Sequence, residues 1–275
     1  MEQKLIHHID AVFAPYDNVA QVKEELTQHL LEKYRELTTE GKTAEDAYQT
    51  TVDSIGDIAE LIESKPQATP ARTVNLSATE LANTDLTNTN IHEGKFNASS
   101  MGNSKFSGAN LINATFKASD VRNNDFKNAD LTGATFSGSD VHGSTFQDTN
   151  LTNATFKASD LDGTNFNGAN LTNAKINKSN LANATFVDAT LTNTDFSHSS
   201  VSGISFEGQT LVGTIFDNIG SRGLKETSFK NATLREVSFH HSDAKKAIFD
   251  GATVDKLTYA SLKGTRADLS NVTVI

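Results

Sequence analysis

The 275-residue chain contains no cysteine and no tryptophan, and it has only three prolines. The absence of cysteine excludes disulfide bonds and thiolate metal sites. We find no apolar run long enough to span a bilayer and no signal peptide, so the sequence predicts a cytoplasmic protein without membrane insertion. The formal net charge of −10 argues against direct binding of nucleic acid through a basic face.

The sequence does contain an apolar residue at every fifth position from Leu76 to Phe216, which makes 29 positions without an exception. In an α-helix, successive members of this series would lie about 140° apart, so no apolar stripe would form. In a straight strand they would alternate between opposite faces. Because neither element buries the pattern, the chain must turn once every five residues.

Two flanking positions show how the chain turns. The residue two places before each core position, which we call the small slot, is Ala, Ser, Thr or Gly in 25 of 29 cases. The residue two places after the core position is Asn or Gly in 20 of 29 cases, and both types tolerate the positive φ of a type II turn. One short strand and one corner per five residues predict a polygonal solenoid with a filled core.

The core residues alternate between aromatic and aliphatic side chains, which predicts four sides per coil. Residues twenty apart would then stack about 4.8 Å from each other, the ordinary spacing of paired strands. The two aromatic ladders on opposite sides would include Phe116, Phe136 and Phe156 in one and Phe126, Phe146 and Phe166 in the other.

Units such as Ala129-Asp130-Leu131-Thr132-Gly133 and Ala169-Asn170-Leu171-Thr172-Asn173 resemble those of the pentapeptide-repeat proteins. The resemblance implies a mainly β fold, a right-handed quadrilateral β-helix. We place this domain at residues 74–275, with about ten coils and a loop insertion at 217–223, where one unit is three residues too long. Arg222 in this protruding loop is a candidate interaction residue.

The last units leave an apolar edge at Val272, Val274 and Ile275, with no helix after them to cover it. Unpaired strand edges promote association between chains. We therefore expect a homodimer in which two C-terminal coils meet, unless local distortion hides the edge.

Residues 1–64 differ from the solenoid in period and in charge, with apolar spacing that predicts three to four helices. The first helix ends before Pro15, the second runs from about Val19 to Thr39, Thr43 caps the third, and a short last helix passes through Ile58. A Pro-containing linker follows at 65–73. Residues 1–72 hold 14 acidic and 7 basic residues, against 20 and 17 in the remainder.

The motifs Glu40-Gly41, Ala44-Glu45-Asp46-Ala47 and Ile55-Gly56-Asp57 resemble the small permease-prefix or HAAS-type domain. That family occurs in Gram-positive signalling and transport-related proteins, so the resemblance implies a regulatory role in a bacterial protein. The alternative is that these helices cap the first coil, whose edge would otherwise be unpaired. The two roles are compatible.

The repeat leaves little room for catalysis, because a filled solenoid has no concave site in which reactive groups converge. The eight histidines are scattered, and the adjacent pair His240 and His241 would diverge on a strand. We therefore expect no enzyme activity, no metal and no cofactor.

Two outward ladders are candidate interaction surfaces. Asp120, Asp140 and Asp160 should stack in one column, which could bind a cation or mimic the spacing of phosphates, although solvated surface carboxylates are the commoner explanation. Thr residues form the other ladder, beside Asn residues, and they also suit a strand by propensity alone. Its members are Thr132, Thr152, Thr172 and Thr192.

Three functions fit these features. The first is a non-enzymatic scaffold that mimics DNA and binds a topoisomerase such as DNA gyrase, as the resemblance to pentapeptide-repeat proteins implies. The second is a regulatory adaptor that engages a regulator through the helical domain. The third is a structural or surface-binding rod that uses the Thr/Asn face.

Overall fold

The computed structural model describes residues 1–13, 20–54, 74–220 and 223–275. The chain divides into two compact units, Met1–Arg72 and Thr73–Ile275. The predicted linker at 65–73 and the short helix through Ile58 lie outside the described residues. No helix in the described part of the chain combines the length and the apolar character needed to cross a membrane.

The N-terminal unit contains three helices, which are α1 (Glu2–Phe13), α2 (Ala20–Thr39) and α3 (Ala44–Asp53). Their apolar stripes pack into one small core, formed by Leu5, Ile9, Leu30, Tyr34, Ala47 and Tyr48. The helical region that the sequence predicts is therefore present. Its likeness to a permease-prefix domain stays a prediction.

Short polar signals set the ends of these helices. Gly41, at φ +94°, follows α2, and the amides of Gly41 and Lys42 donate to the carbonyls of Thr38 and Leu37 at 3.2 and 3.1 Å. These are the two bonds of a Schellman motif, which a residue with positive φ closes. Thr43 caps α3, because its Oγ1 accepts the amide hydrogen of Asp46 at a distance of 3.2 Å.

The second unit is a four-sided β-solenoid, which confirms the predicted fold class. Parallel bridges join residues twenty apart, from the pair Asn75 and Lys95 to the pair Asp195 and Ile215. Where pairing is most regular, three strands form one sheet, β1 (Thr135–Ser137), β2 (Thr155–Lys157) and β3 (Lys175–Asn177). A second sheet contains β4 (Thr210–Val212), β5 (Thr233–Arg235), β6 (Thr253–Val254) and β7 (Thr273–Val274).

The corners depend on residues that accept a positive φ. Asn113 and Gly133 occupy the same corner of successive coils, with φ of 57° and 69°. A Cβ atom on Gly133 would collide with Oδ1 of Asn113, which leans across from the coil below. The backbone conformation at 133 is open to asparagine as well, so glycine is favoured there by this close approach of the Asn113 side chain.

The core consists of stacked phenylalanine rings, as the ladders predict. The rings of Phe136 and Phe156 are 4.7 Å apart and nearly parallel, at an interplanar angle of 6°. Phe146, on the opposite side, meets Phe156 edge to face at 5.6 Å and 87°. Both arrangements are favoured by aromatic quadrupoles. Each ring is fully buried, so the interior is filled with side chains.

Serine occupies the small slot at one corner in most coils, and it links each coil to the next. Oγ of Ser159 donates to the carbonyl of Phe136 at 2.5 Å and accepts the amide hydrogen of Ser139 at 3.4 Å. At the preceding corner the slot residue is Ala134, whose amide closes its own turn by donating to Leu131 at 2.9 Å. The slot amide of Ser139 therefore bonds to the serine hydroxyl of the next coil, whereas the slot amide of Ala134 bonds to a carbonyl of its own turn.

The number of coils differs from the prediction of about ten. The solenoid has about seven turns, which corresponds to the regular twenty-residue spacing up to Ile219. Across residues 217–223 the register is 23 residues, as in the bridge between Ser205 and Ser228, and the spacing of twenty then resumes, as between Ser228 and Ile248. Near the C-terminus a helix, α4 (Lys256–Lys263), replaces predicted strand units, because Asp255 caps it by accepting the amide hydrogen of Thr258 at 2.7 Å.

Replacing Phe156 with Ala should lower the free energy of unfolding by about 3–5 kcal/mol, because stacked coils cannot collapse into the cavity. Chemical denaturation followed by circular dichroism measures the change. Lys157→Ala, on the adjacent outward position, is the matched control and should change stability by less than about 0.5 kcal/mol. Equal effects of the two substitutions would contradict the packing of this ladder.

Replacing Ser159 with Ala should cost about 1–3 kcal/mol, because the buried amide of Ser139 loses its acceptor and the carbonyl of Phe136 loses its donor. The control is Ser137→Ala, which removes an outward hydroxyl two residues before Ser139. Differential scanning calorimetry should show a clear fall in Tm for Ser159→Ala only. A similar fall for both variants would show that the corner does not depend on this hydroxyl.

Candidate interaction faces

Each side of the solenoid presents three residues outward, the one before the core position and the two after it. We number the four faces by the core positions that they cover between residues 75 and 218. Face 1 covers positions 76 to 216 in steps of twenty, face 2 covers 81 to 201, face 3 covers 86 to 206, and face 4 covers 91 to 211.

Charged side chains are segregated among these faces. Face 2 carries Glu80, Asp120, Asp140, Asp160, Asp162 and Arg122; face 3 carries Asp85, Asp125, Asp148, Asp188, Glu207, Lys105 and Lys127. Face 1 carries Lys95, Lys117, Lys157, Lys175, Lys178, Asp195 and Asp217; face 4 carries Glu93 and Asp130. Two adjacent faces are therefore acidic and one is basic, although the unit as a whole is close to neutral.

The three aspartates of the predicted column do stack, since bridges join Asp120 to Asp140 and Asp140 to Asp160. Each carboxylate also accepts a hydrogen bond within its own turn. Oδ1 of Asp140 accepts the amide hydrogen of the residue two places on, His142, at 3.2 Å. Asn150 makes the same bond to Thr152 on face 4, also at 3.2 Å. Because asparagine serves this turn equally well, the turn does not require the negative charge of the column.

Arg122 is a site residue that the sequence reasoning missed. Its Nη2 lies 2.6 Å from Oδ2 of Asp120, and its Nε lies 3.4 Å from Oδ2 of Asp140. The hydrogen bond from this guanidinium holds the pKa of the Asp120 carboxyl below its ordinary value, against the opposing effect of partial burial. The signal in the sequence was the spacing of 18 residues between Arg122 and Asp140, which becomes a contact only once a coil of twenty is known.

The threonine ladder is also formed, but the hydroxyls of three of its four members are engaged within the protein. The Oγ1 atoms of Thr132, Thr152 and Thr172 donate to the side-chain oxygens of Asp130, Asn150 and Asn170 at 2.6, 2.8 and 2.7 Å. Successive coils pair along this column up to Thr192, to whose carbonyl the amide of Asn173 donates at 2.9 Å. Hydroxyls bonded in this way have less capacity to order water or to bind an external surface.

The remaining predicted sites are placed as follows. Arg222 lies outside the described residues. At the C-terminal edge, β7 pairs with β6 on one side, and the side chains of Val274 and Ile275 are 43% and 52% exposed, while Val272 is partly buried. Dimerisation through this edge stays a prediction. Within the described ranges, no three His, Asp or Glu side chains cluster as a metal site would need.

The contact between Arg122 and Asp120 predicts a pH effect. A carboxyl whose pKa is lowered by folding stabilises the folded state above its unfolded pKa, and this stabilisation is lost as the pH falls through the folded pKa. Arg122→Gln should therefore raise the pKa of Asp120 and remove its share of the acid sensitivity. Carboxyl titration by NMR measures the change. The pKa of Asp85, which is lowered by bonds to Thr87, is the internal control and should not move.

Comparison with known families agrees with this architecture. The family model described as "Pentapeptide repeat region" matches residues 89–166. The model described as "Pentapeptide repeats (8 copies)" matches residues 149–188, 169–208 and 224–255. No curated protein matches the sequence.

Solved structures of similar proteins include three pentapeptide repeat proteins. HetL, involved in heterocyst differentiation regulation in the cyanobacterium Nostoc sp. strain PCC 7120, is 20% identical; the match covers 66% of this chain and 89% of HetL, with a TM-score of 0.37. QnrB1, a plasmid-mediated fluoroquinolone resistance protein, is 20% identical, with 67% and 98% covered and a TM-score of 0.39.

A pentapeptide repeat protein of the Arabidopsis thaliana thylakoid lumen is 33% identical, with 37% of this chain and 67% of that chain covered and a TM-score of 0.30. The matches to the two family models together span more than half of the chain, in the same residues that form the four-sided coils. The chain belongs to the pentapeptide-repeat family.

Proposed function

We propose that this chain is a non-enzymatic scaffold that binds a protein, and that its two acidic faces occupy a basic groove which otherwise holds DNA. A topoisomerase such as DNA gyrase is a partner of this kind. The observation that supports the proposal is the segregation of charge. Faces 2 and 3 are adjacent, each with five acidic side chains, and five of the lysines of this region lie together on face 1.

The spacing of these charges sets the expected strength of binding. A column such as Asp120, Asp140 and Asp160 places one carboxylate per coil, about every 4.8 Å. Duplex DNA carries about one negative charge per 1.7 Å of its axis, so one column reaches roughly a third of that density. We therefore expect an interaction that is weaker than DNA binding and that falls steeply as salt rises.

The filled core supports a binding role over a catalytic one. The ladder rings from Phe96 to Phe166 are fully buried and leave the interior without space for a substrate. A partner therefore binds on the outer faces, where rigid coils hold charged side chains at fixed spacing. Such rigidity lowers the entropy lost on binding.

Two other roles each have some support in the sequence. A regulatory adaptor acting through α1 to α3 remains an alternative, and the acidic character of residues 1–72 is compatible with it. A surface-binding rod is less well supported, because the threonine hydroxyls of face 4 already donate to neighbouring side chains.

The test is a gyrase supercoiling assay with added protein at low and at high salt. The full chain should inhibit supercoiling at low salt. The double variant Asp140→Asn and Asp160→Asn should weaken inhibition about tenfold or more, because it keeps the turn bonds and removes two charges. Glu93→Gln, on the opposite face 4, is the matched control and should inhibit like the unmodified chain.

Failure of the unmodified chain to inhibit at either salt concentration would exclude gyrase as the partner. Equal inhibition by the double variant and by the control would mean that face 2 is not the binding surface.

A further inference from the structure

One half-coil of the solenoid is split. Every pair of residues twenty apart on the regular ladder between Asn75 and Ile215 is bridged, apart from two consecutive pairs within this described range. The missing bridges are Thr185 with Ser205 and Thr190 with Thr210. The ladder is intact on both sides of the split, at the pair Asn180 and Ser200 and at the pair Asp195 and Ile215.

Backbone hydrogen bonds between the two coils are missing at the same level. One coil lower, the amides of Phe166, Gly168 and Leu171 donate to the coil above at 2.8 Å. Their counterparts twenty residues on, within the described range 74–220, make no such backbone bond; they are Phe186, Asp188 and Leu191.

The aromatic ladder is also disturbed at this level. The rings of Phe186 and Phe206 are 5.7 Å apart and tilted by 32°, whereas those of Phe166 and Phe186 are 5.1 Å apart at 9°. Outside the rings, Val187 is 57% exposed, and a cleft of about 370 Å³ opens between residues 187–189 and 205–210.

The sequence contains a cause for this split. Only four of the 29 small slots hold a larger residue, and two of them, Ile204 and Gln209, are consecutive and bound the split on its upper coil. Elsewhere on this corner Thr149 bridges coils through its hydroxyl, with Oγ1 donating to the carbonyl of Phe126 at 2.8 Å. Gln209 makes the equivalent bond to Phe186 at 2.9 Å, but through a side chain two bonds longer.

The longer side chain acts as a wedge. Oε1 of Gln209 is buried without a hydrogen-bond partner, while Nε2 of the same amide reaches the carbonyl of Phe186 in the coil below. Beside it, Gly208 has open space within 4 Å of the point where a Cβ atom would lie, whereas a Cβ atom on the equivalent Gly168 would collide with Oδ1 of Asp148. The coils are therefore held apart on this side of the solenoid.

The opposite side stays closed. The rings of Phe196 and Phe216 stack at 5.2 Å and 7°, and the amide of Phe196 donates to Ile215 at 2.8 Å. A stack that is open along one side and bonded along the other can bend about the bonded side. The opening is too narrow for an added strand, which would need about 9.6 Å between the two coils.

We propose that this split is a hinge, at which the coils before Ser200 and the coils after Ser205 bend relative to each other. Ile204 and Gln209 create the hinge by filling two slots that small residues occupy elsewhere. The unpaired backbone groups of the split exchange partners with water, so opening costs fewer hydrogen bonds here than at an intact coil.

The first test is amide hydrogen exchange on the full chain. The amides of Phe186, Asp188 and Leu191 should exchange at least tenfold faster than those of Phe166, Gly168 and Leu171. The double variant Ile204→Thr and Gln209→Thr places at both slots the residue that bridges coils at Thr149, and it should remove most of this difference. Ile215→Ala, a substitution at an outward position of the same coil, is the control and should leave it unchanged.

A second measurement separates a hinge from a static gap. Because the chain has no cysteine, spin labels can be attached specifically to Gln147→Cys, on face 3 below the split, and to Lys230→Cys above it. Lys230 follows Phe229, whose ring stacks on that of Phe206 of face 3. The distance distribution from pulsed electron resonance should be broad and should narrow when Ile204→Thr and Gln209→Thr are added.

Three results would overturn the proposal. Equal exchange rates at the two sets of amides would show that the coils are not split in solution. A difference that persists in the double threonine variant, but disappears in Glu207→Gln, would assign the opening to repulsion between Glu207 and Asp188 across the cleft. A distance distribution that is equally narrow with and without the two threonine substitutions would show that the gap is static and is not a hinge.

Discussion

The structure depends on one constraint of volume, which is that coils about 4.8 Å apart must share a solid interior. At each side a large residue fills the centre and a small residue two places earlier makes room for it. The parallel rings of Phe136 and Phe156 show how well the spacing suits an aromatic ring, since a centroid separation of 4.7 Å is both a strand spacing and a stacking distance. The same match explains why phenylalanine dominates two opposite sides.

The sequence predicts the fold well because this constraint is periodic and local. The five-residue rhythm specifies the turn, the alternation specifies four sides, and the slot residues specify where the corners lie. The structure departs from the predicted units near the C-terminus, because the apolar series continues through Tyr259 while the cap at Asp255 makes a helix locally more stable. Apolar spacing alone does not distinguish these outcomes over eight residues.

The candidate site was harder to predict than the fold, since outward residues are free of the packing constraint. Stacking of Asp120, Asp140 and Asp160 follows from the twenty-residue coil. Their partner Arg122 does not, because its contacts depend on which rotamer reaches across to the next coil. The turn bond made by Asp140 is made equally by Asn150, so the choice between charge and amide is available to function without any cost to the fold.

The residue in the small slot affects both the packing of neighbouring coils and the stiffness of the stack. In a repeat protein, stability is close to a sum over neighbouring interfaces, so a single loose interface is not averaged away by the tight ones. Serine at Ser159 tightens one interface with a hydroxyl that spans a single coil, and Gln209 loosens another with an amide that reaches too far. Oversized slot residues therefore divide the continuous stack of coils into two segments. The stacked rings of Phe196 and Phe216 keep these two segments in contact. A rod built in this way can present rigid charged faces and still adapt its curvature at one coil.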